Sequence, residues 1–324
     1  MKIQLAIQGG GAKLISLLAA ARALQEVPDI EITRVIGTSA DAMVGTFLAA
    51  GIDLEQFRRE LEIGTGEKLS RSLSKAGSAR FLRTMLTGTP VWKTDVLRRV
   101  ITEALDRQSK AINMPLKTLN NVFDATGIDL RIVSADLRNP TPIIHRRDQD
   151  SLELVTHLLE SAAIPFYFNT WGNGPVVDGG LVQNFPWEDL LDTQGSDYGP
   201  IIGISFVPSD RSAPTGRVDY AKALLETAMD ASTERARNRL GADRVLSLPV
   251  EFDTFDFENG LNQNAVTAHF QEIKRIAADW FASRFGGSGL RILDDPWLST
   301  SISTMEKLGK IHLGVHCLWL RKQR

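Results

Sequence analysis

Gly37-Thr38-Ser39-Ala40-Asp41 follows Ile32 to Ile36, which reads as a short strand, and precedes a helix-forming stretch that begins near Ala40. A serine on a strand-to-helix turn is thrust from the backbone, with its hydroxyl beside the open amides of a helix N-terminus. That is how a nucleophile is presented. Gly37 supplies the first glycine of a G-x-S-x-G elbow, and Asp41 stands where the second would be. A serine hydroxyl attacks only when a neighbouring base takes its proton. The five histidines are His145, His157, His269, His312 and His316, and none adjoins a glycine loop. A Ser-His-Asp triad stays open, because such groups assemble across long separations. His269 falls in a predicted helix and reads more simply as a packing or surface residue. His312 and His316 have i,i+4 spacing but lack the glutamate of H-E-x-x-H, so metal binding is the weaker reading. Asp178 is the better candidate base. It ends the pair Val176-Val177 and enters Gly179-Gly180, which would hold a carboxylate at a strand edge, although Asp-Gly is also an ordinary turn.

Gly9-Gly10-Gly11 is the third place where chemistry could reside. Residues without Cβ let backbone amides converge on a developing oxyanion, the main electrostatic requirement of acyl transfer. The same run could open a nucleotide-binding turn, but G-x-G-x-x-G breaks at Leu14 and no G-x-x-x-x-G-K-[ST] loop occurs.

These residues need elements to position them. Ile3, Leu5 and Ile7 alternate with polar or small residues, predicting a strand that reaches Gly9; Leu14 to Leu24 predicts a helix ending before Pro28. Strand, glycine loop, helix, strand, Ser39 turn and helix together predict an α/β sheet with parallel strands, its two loops at one carboxyl edge. Gly64 to Pro90 is glycine- and hydroxyl-rich, with Lys68, Arg71, Lys75, Arg80 and Arg83 among scattered apolar residues. It reads as a mobile insertion or cap, and either as a solvated loop with satellite helices or as a basic, membrane-contacting surface. Further helices are expected over Thr94 to Arg107, capped by Thr94, and over Leu152 to Leu159, Tyr220 to Leu240 and Asn264 to Phe281. Strands are expected at Leu130 to Ser134 and Thr141 to His145, turned by Asn139-Pro140, and at Val176-Val177, Ile201 to Val207 and Val245 to Leu248. The acidic, aromatic stretch Asp253 to Glu258 reads as a loop. From Gly286 onward the chain reads as a linker and a docked tail.

With 324 residues, 43% apolar and 23% charged, the chain has the balance of a globular protein. A net charge of -2 gives no reason to expect broad attraction to nucleic acid. The single cysteine, Cys317, excludes an intramolecular disulfide and suits a reducing compartment. No signal-peptide pattern opens the sequence and no run of 18 apolar residues occurs, so a cytoplasmic location is expected.

Gly9-Gly10-Gly11-Ala12-Lys13, Gly37-Thr38-Ser39-Ala40 and Asp178-Gly179-Gly180, in that order and spacing, resemble the three signatures of bacterial-type patatin-like phospholipases. Ser161-Ala162-Ala163-Ile164-Pro165 is similar to the family's small-residue and proline segment, and the resemblance extends to about Val207. It implies a three-layer α/β/α sandwich around a mostly parallel sheet, occupying residues 1–285 with a cap or insertion at 64–92 and a docked segment at 286–324. It further implies a Ser39–Asp178 dyad acting without histidine through an acyl-enzyme. Amides of Gly10, Gly11 and Ala40 would form the oxyanion hole, supported by Gly9, Lys13, Gly37, Asp41, Gly179 and Gly180. The implied substrate is a phospholipid or other acyl ester, reached by peripheral membrane contact, with no cofactor, calcium or nucleic acid; the oligomeric state is not specified. Two positions depart from the pattern: Leu14 replaces a glycine, and Asp41 could crowd the turn, oppose a negative transition state or cap the helix. A lipid-binding protein that has lost hydrolysis, and a non-lipid serine esterase, are therefore the alternatives.

Overall fold

The computed structural model describes residues 1–73, 78–148, 152–191, 198–208 and 213–285. Met1–Ala282 forms one compact unit. Lys75, His312, His316, Cys317 and the expected tail at 286–324 lie outside the described residues.

The chain opens with β1 (Lys2–Ile7), α1 (Leu14–Gln25), β2 (Glu31–Thr38) and α2 (Ala40–Ala49). Every residue of α2, and all but Arg22 and Gln25 of α1, is buried. Their alanine- and leucine-rich sequences thus lack the polar face of a surface helix. The insertion is helical where it is described: α3 (Leu54–Glu60), a π-helical turn at Leu61–Thr65 kinked at Gly64 (φ 121°), α4 (Gly66–Ser72) and α5 (Ser78–Thr87). Gly64 marks the kink between two of these helices, and the short helices are of the satellite kind that the sequence reading allowed for.

Next come α6 (Asp95–Ile112), α7 (Leu119–Thr126), β3 (Asp129–Asp136) and β4 (Asn139–His145). Thr94 occupies the cap position of α6 without a side-chain cap bond, and the helix runs past Arg107 to a left-handed Asn113. The sequence reading has no counterpart of α7, which Thr118 caps by accepting the Asn121 amide at 3.2 Å and Gly127 ends at φ 75°. Asn139 and Pro140 lie within β4, and the turn falls at Leu137 and Arg138, where Asp136 accepts the Arg138 amide at 2.9 Å. β4 is the edge strand, where a missing N–H is tolerated.

The remaining elements are α8 (Leu154–Ser161), β5 (Val176–Asp178), α9 (Gly180–Gln183), β6 (Ile201–Phe206), α10 (Arg217–Leu240), β7 (Val245–Leu248), α11 (Phe257–Gly260) and α12 (Phe270–Phe285). α11, capped by Asp256, replaces part of the expected acidic loop. The sheet order is β4-β3-β2-β1-β6-β7, with β5 also paired to β3. β3, β2, β1, β6 and β7 are parallel, whereas β4 and β5 run antiparallel to β3. Strand alternation separates two helical layers. Val35 and Ile7 meet α2 at Gly45, while Ile36 and Ala6 pack with Phe185, Trp187 and the α10 residues Ala236 and Leu240. The result is an α/β/α sandwich with a mostly parallel central sheet.

Candidate active site

β3 brings the two candidate reactive side chains together. Thr38, the last residue of β2, pairs with Val133, and Asp178, the last residue of β5, pairs with Ser134. β4 occupies one edge of β3 across this region, so β2 and β5 share the other, end to end. Ser39 leaves the sheet where Asp178 arrives.

Ser39 has φ 62° and ψ -131°, a backbone conformation that costs a non-glycine residue about 1–3 kcal/mol and persists only where its surroundings enforce it. Its amide donates to Ser161 Oγ at 2.8 Å, and that hydroxyl donates to the Val133 carbonyl, so Ser161 ties the elbow to β3. A Cβ on Gly37 would lie 2.8 Å from the Asp41 carbonyl and 2.9 Å from the Ala42 amide. The first turn of α2 folds back too closely on β2 for any side chain there.

The Asp178 amide donates to the Ala163 carbonyl at 3.1 Å, so the segment after Ser161 also anchors β5. A Cβ on Gly179 would stand 2.5 Å from the Val133 carbonyl. Asp178 Oδ1 accepts the Gly180 amide at 2.7 Å, while Oδ2 has no full hydrogen bond from the protein. The Ser39 hydroxyl nevertheless acts on this carboxylate as a donor and lowers its pKa. Burial dominates that donor and the Gly180 amide, raising the Asp178 pKa from 3.8 to about 6.

Asn184, which sequence reasoning missed, locks the glycine loop against this aspartate turn. Its carbonyl accepts the Gly9 amide at 2.8 Å, and its side-chain Nδ2 donates to the Gly9 carbonyl at 3.3 Å and to Thr233 Oγ1 at 3.0 Å. A Cβ on Gly9 or Gly180 would fall 2.0 or 2.7 Å from Asn184 Oδ1. Its only sequence signal is its place six residues after Asp178, before Phe185-Pro186. Gly11 is left-handed at φ 56°, under the Thr254 carbonyl that also accepts the Ala12 amide at 2.9 Å. Among the described residues, no backbone carbonyl accepts from the amides of Gly10, Gly11 or Ala40.

Asp41 lies in the first turn of α2 with no exposed surface, and neither carboxyl oxygen makes a full hydrogen bond. Burial, and then Asp178, push its pKa well above the usual carboxylate range; Lys13 and the amides of Gly10 and of Asp41 itself pull it back. The half-buried Lys13 also carries its ammonium over the Phe206 ring, 4.9 Å from the centroid.

An apolar cleft of about 390 Å³, mouth included, opens on Ser39. Leu14, the first departure from the motif, lines it with Met43; Leu69 and Leu73 of the insertion, and Phe257 and Leu261 of α11 and its end, complete the walls. Apart from the Ser39 hydroxyl, the side chains that line it are apolar.

None of the described histidines is bonded to Ser39. His145 shares a 2.7 Å hydrogen bond with Ser134 Oγ and stacks on His157 at 4.2 Å; His269 sits 2.8 Å from Ser16 Oγ and 2.9 Å from Glu251. His145, His157 and Glu160, and separately Glu251, His269 and Glu272, bring possible metal-ligand atoms within 4.8 Å of one another. Neither group includes Ser39 or Asp178. Among the described residues no helix is long and apolar enough to cross a membrane.

Comparison with known proteins matches residues 5–191, more than half of the 324, to the family described as patatin-like phospholipase. The uncharacterised protein YqhO of Bacillus subtilis is 29% identical over 275 residues, covering 78% of this chain and 88% of its own. VipD from Legionella pneumophila is 17% identical with a TM-score of 0.40, over 85% of this chain and 66% of that one. ExoU, in its heterodimeric complex with SpcU from the type III secretion system of Pseudomonas aeruginosa, is 15% identical with a TM-score of 0.42, over 85% and 52%. The chain thus spans about two thirds of VipD and half of ExoU, and likeness at this level carries no functional weight. On the family match, together with the sheet that unites its three signatures, the chain belongs to the patatin-like phospholipase family.

Proposed function

We propose that this protein is a serine acyl hydrolase that cleaves fatty-acyl esters, phospholipid in preference to neutral glyceride, through a Ser39–Asp178 dyad. The observation that carries the reading is the end-to-end arrangement of β2 and β5 on β3, which brings Ser39 beside Asp178 at an apolar cleft. In this reading Asp178 takes the Oγ proton as Ser39 attacks the ester carbonyl. The amides of Gly10, Gly11 and Ala40, backed by the α2 N-terminus, receive the oxyanion. Collapse breaks the ester C–O bond, the departing alkoxide takes the proton from Asp178, and the acyl group stays on Ser39. A water deprotonated by Asp178 then attacks the acyl-enzyme, releasing fatty acid and returning the proton to Ser39. The phospholipid preference rests on the family and on the basic insertion. A cytoplasmic location is part of the same proposal.

A fluorophosphonate probe followed by intact-mass analysis and peptide mapping tests the nucleophile. Wild-type protein should gain one adduct, on Ser39, and release fatty acid from phospholipid vesicles; Ser39→Ala should do neither while keeping its melting temperature. Labelling elsewhere, or equal release by the variant, removes Ser39 from the mechanism. Asp178→Asn should abolish turnover, whereas substituting each histidine should not.

A second reading, a lipid-binding protein without hydrolysis, is favoured by one observation: the Asp41 carboxyl faces the Gly10 amide that an oxyanion would need. Vesicle binding without probe labelling or product would establish it. The apolar cleft argues against a non-lipid esterase, and a screen of short- and long-chain esters separates the two.

A further inference from the structure

A second apolar groove, of about 1380 Å³ with its open mouth, lies between α5 and the N-terminal half of α10. It backs onto the same wall as the Ser39 cleft: Ile164 and Phe168 line the cleft, and Phe166 lines the groove. Its other walls are left facing water. Leu82 and Met85 of α5 are 55% and 47% exposed, and Tyr220 and Leu224 of α10 are 59% and 56% exposed. Leu86, one helical turn beyond Leu82, is 76% exposed, and the indole of Trp171, 63% exposed, lies against Gly88 just beyond α5. Large apolar side chains grouped in this way on a soluble protein mark a contact surface.

The charges around the groove indicate what covers it. α5 carries two arginines, Arg80 and Arg83, both exposed, and no acid. Arg217 lines the groove, and Lys222 reaches towards the Phe255 ring at 5.7 Å. The acids of this part of α10, Asp219 and Glu226, act on the buried Tyr167 hydroxyl, whose pKa burial raises first and these two raise further. Counting Asp219 and Glu226 against Arg80, Arg83, Arg217 and Lys222, four cations face two acids, so the rim is net basic in a chain whose net charge is -2. A two-fold contact between copies through α5 would bring Arg80 and Arg83 towards their own mates, whereas an anionic surface neutralises them.

We propose that the α5–α10 face docks on an anionic lipid bilayer, with Leu82, Leu86 and Leu224 entering the acyl region and Arg80 and Arg83 at the headgroups. Amphipathic helices bind in this way, with an apolar face below the phosphates, basic residues level with them and an indole at the boundary. Docking on this face would bring the wall shared with the Ser39 cleft to the membrane. The inference builds on the lipid reading of the site but does not need turnover, so it is tested in Ser39→Ala protein.

The experiment is co-sedimentation of Ser39→Ala protein with phosphatidylcholine vesicles, with and without phosphatidylglycerol. Binding should require phosphatidylglycerol and weaken as salt is added. Leu82→Asp/Leu224→Asp should lower partitioning by about tenfold or more, and Arg80→Glu/Arg83→Glu should remove the phosphatidylglycerol dependence. In a Ser39 background the first pair should still hydrolyse a soluble short-chain ester and keep its melting temperature. If that pair melts early, Leu86→Asp alone, at a position already 76% exposed, gives the same test. Equal binding to phosphatidylcholine alone, no binding at all, or unchanged binding by a folded variant overturns the proposal. So does a variant whose only effect, by light scattering, is to turn a dimer into a monomer. A failed probe-labelling experiment on Ser39 would leave this vesicle result standing, so the two readings fall separately.

Discussion

Asp178 is a carboxylate whose burial outweighs both of its hydrogen-bond donors, holding its pKa near 6. A base must be ionised to act, so kcat/KM for a soluble ester should rise through about pH 6 and level off above it. A flat acid limb, or one that survives in Asp178→Asn, would exclude this assignment. The same shift has a stability sign. A folded pKa raised from 3.8 to about 6 means that the native state binds the proton more tightly, so stability is lost as pH rises across that interval. By linkage the cost at neutral pH is about 3 kcal/mol. Asp178→Asn, which keeps an acceptor for the Gly180 amide, should therefore raise the melting temperature at neutral pH while turnover disappears. Asp41 has the opposite signature in the rate. Once ionised it sets a negative charge beside the Gly10 amide, with Asp178 and Lys13 as its charged neighbours, so activity should fall on the alkaline side. Asp41→Asn should remove that limb and leave the acid one; an alkaline fall unchanged in the variant would clear Asp41. Ser39, the three glycines and Asp178 are legible in the sequence because each sits in a spacing that only chemistry or a tight turn explains. Ser161 is visible only as the start of the small-residue and proline segment, and its bond to Ser39 is not, while Asn184 carries no motif at all, because their partners lie 122 and 175 residues away.

At the scale of elements, β3 carries more of the geometry than its sequence suggests. Its Val133 carbonyl accepts the Ser161 hydroxyl and approaches Gly179 so closely that a methyl there would stand 2.5 Å away. Gly179→Ala should push β5 off β3, lowering stability by about 1–3 kcal/mol and slowing probe labelling of Ser39 more than it weakens ester binding. A variant that melts and labels like wild type would show that the strand end has slack. β1 was readable from alternation and the other parallel strands as short β-prone runs, and β7 falls on Val245–Leu248 as expected. The glycines and serines around α4 and α5 left them only as unplaced satellite helices, and α7 was hidden by its brevity, although Thr118 and Gly127 bracket it with ordinary capping signals. Pro140 misplaced a turn because its tolerance depends on β4 being an edge strand, which is a property of the sheet and not of the dipeptide.

At the scale of the molecule, the family match ends at residue 191 but the compact unit continues to Ala282. The later part also reaches the candidate site: Thr254 holds the Ala12 amide behind the glycine loop, and Phe257 and Leu261 wall the cleft. Phe257 also meets Trp92 edge-on at 5.2 Å, joining α11 to the chain before α6. Phe257→Ala should cost about 3–5 kcal/mol and move the preference in a nitrophenyl ester series towards bulkier acyl groups. An unchanged chain-length profile in a folded variant would place the acyl chain elsewhere. Sequence reasoning could not assign this wall, because resemblance faded near Val207 and nothing local to Phe257 distinguishes a cleft from a core.

The shared edge of β3 has one more consequence. Side chains on a strand alternate between faces, and neighbouring positions are about 3.3 Å apart, so sliding β5 by one place would turn the Asp178 carboxylate to the opposite side of the sheet. The separation of Ser39 and Asp178 is therefore set in steps, as teeth set a ratchet, and not along a continuous scale. Loops around such a pair can lengthen, shorten or change character while its spacing stays either whole or absent, with no half-assembled site between.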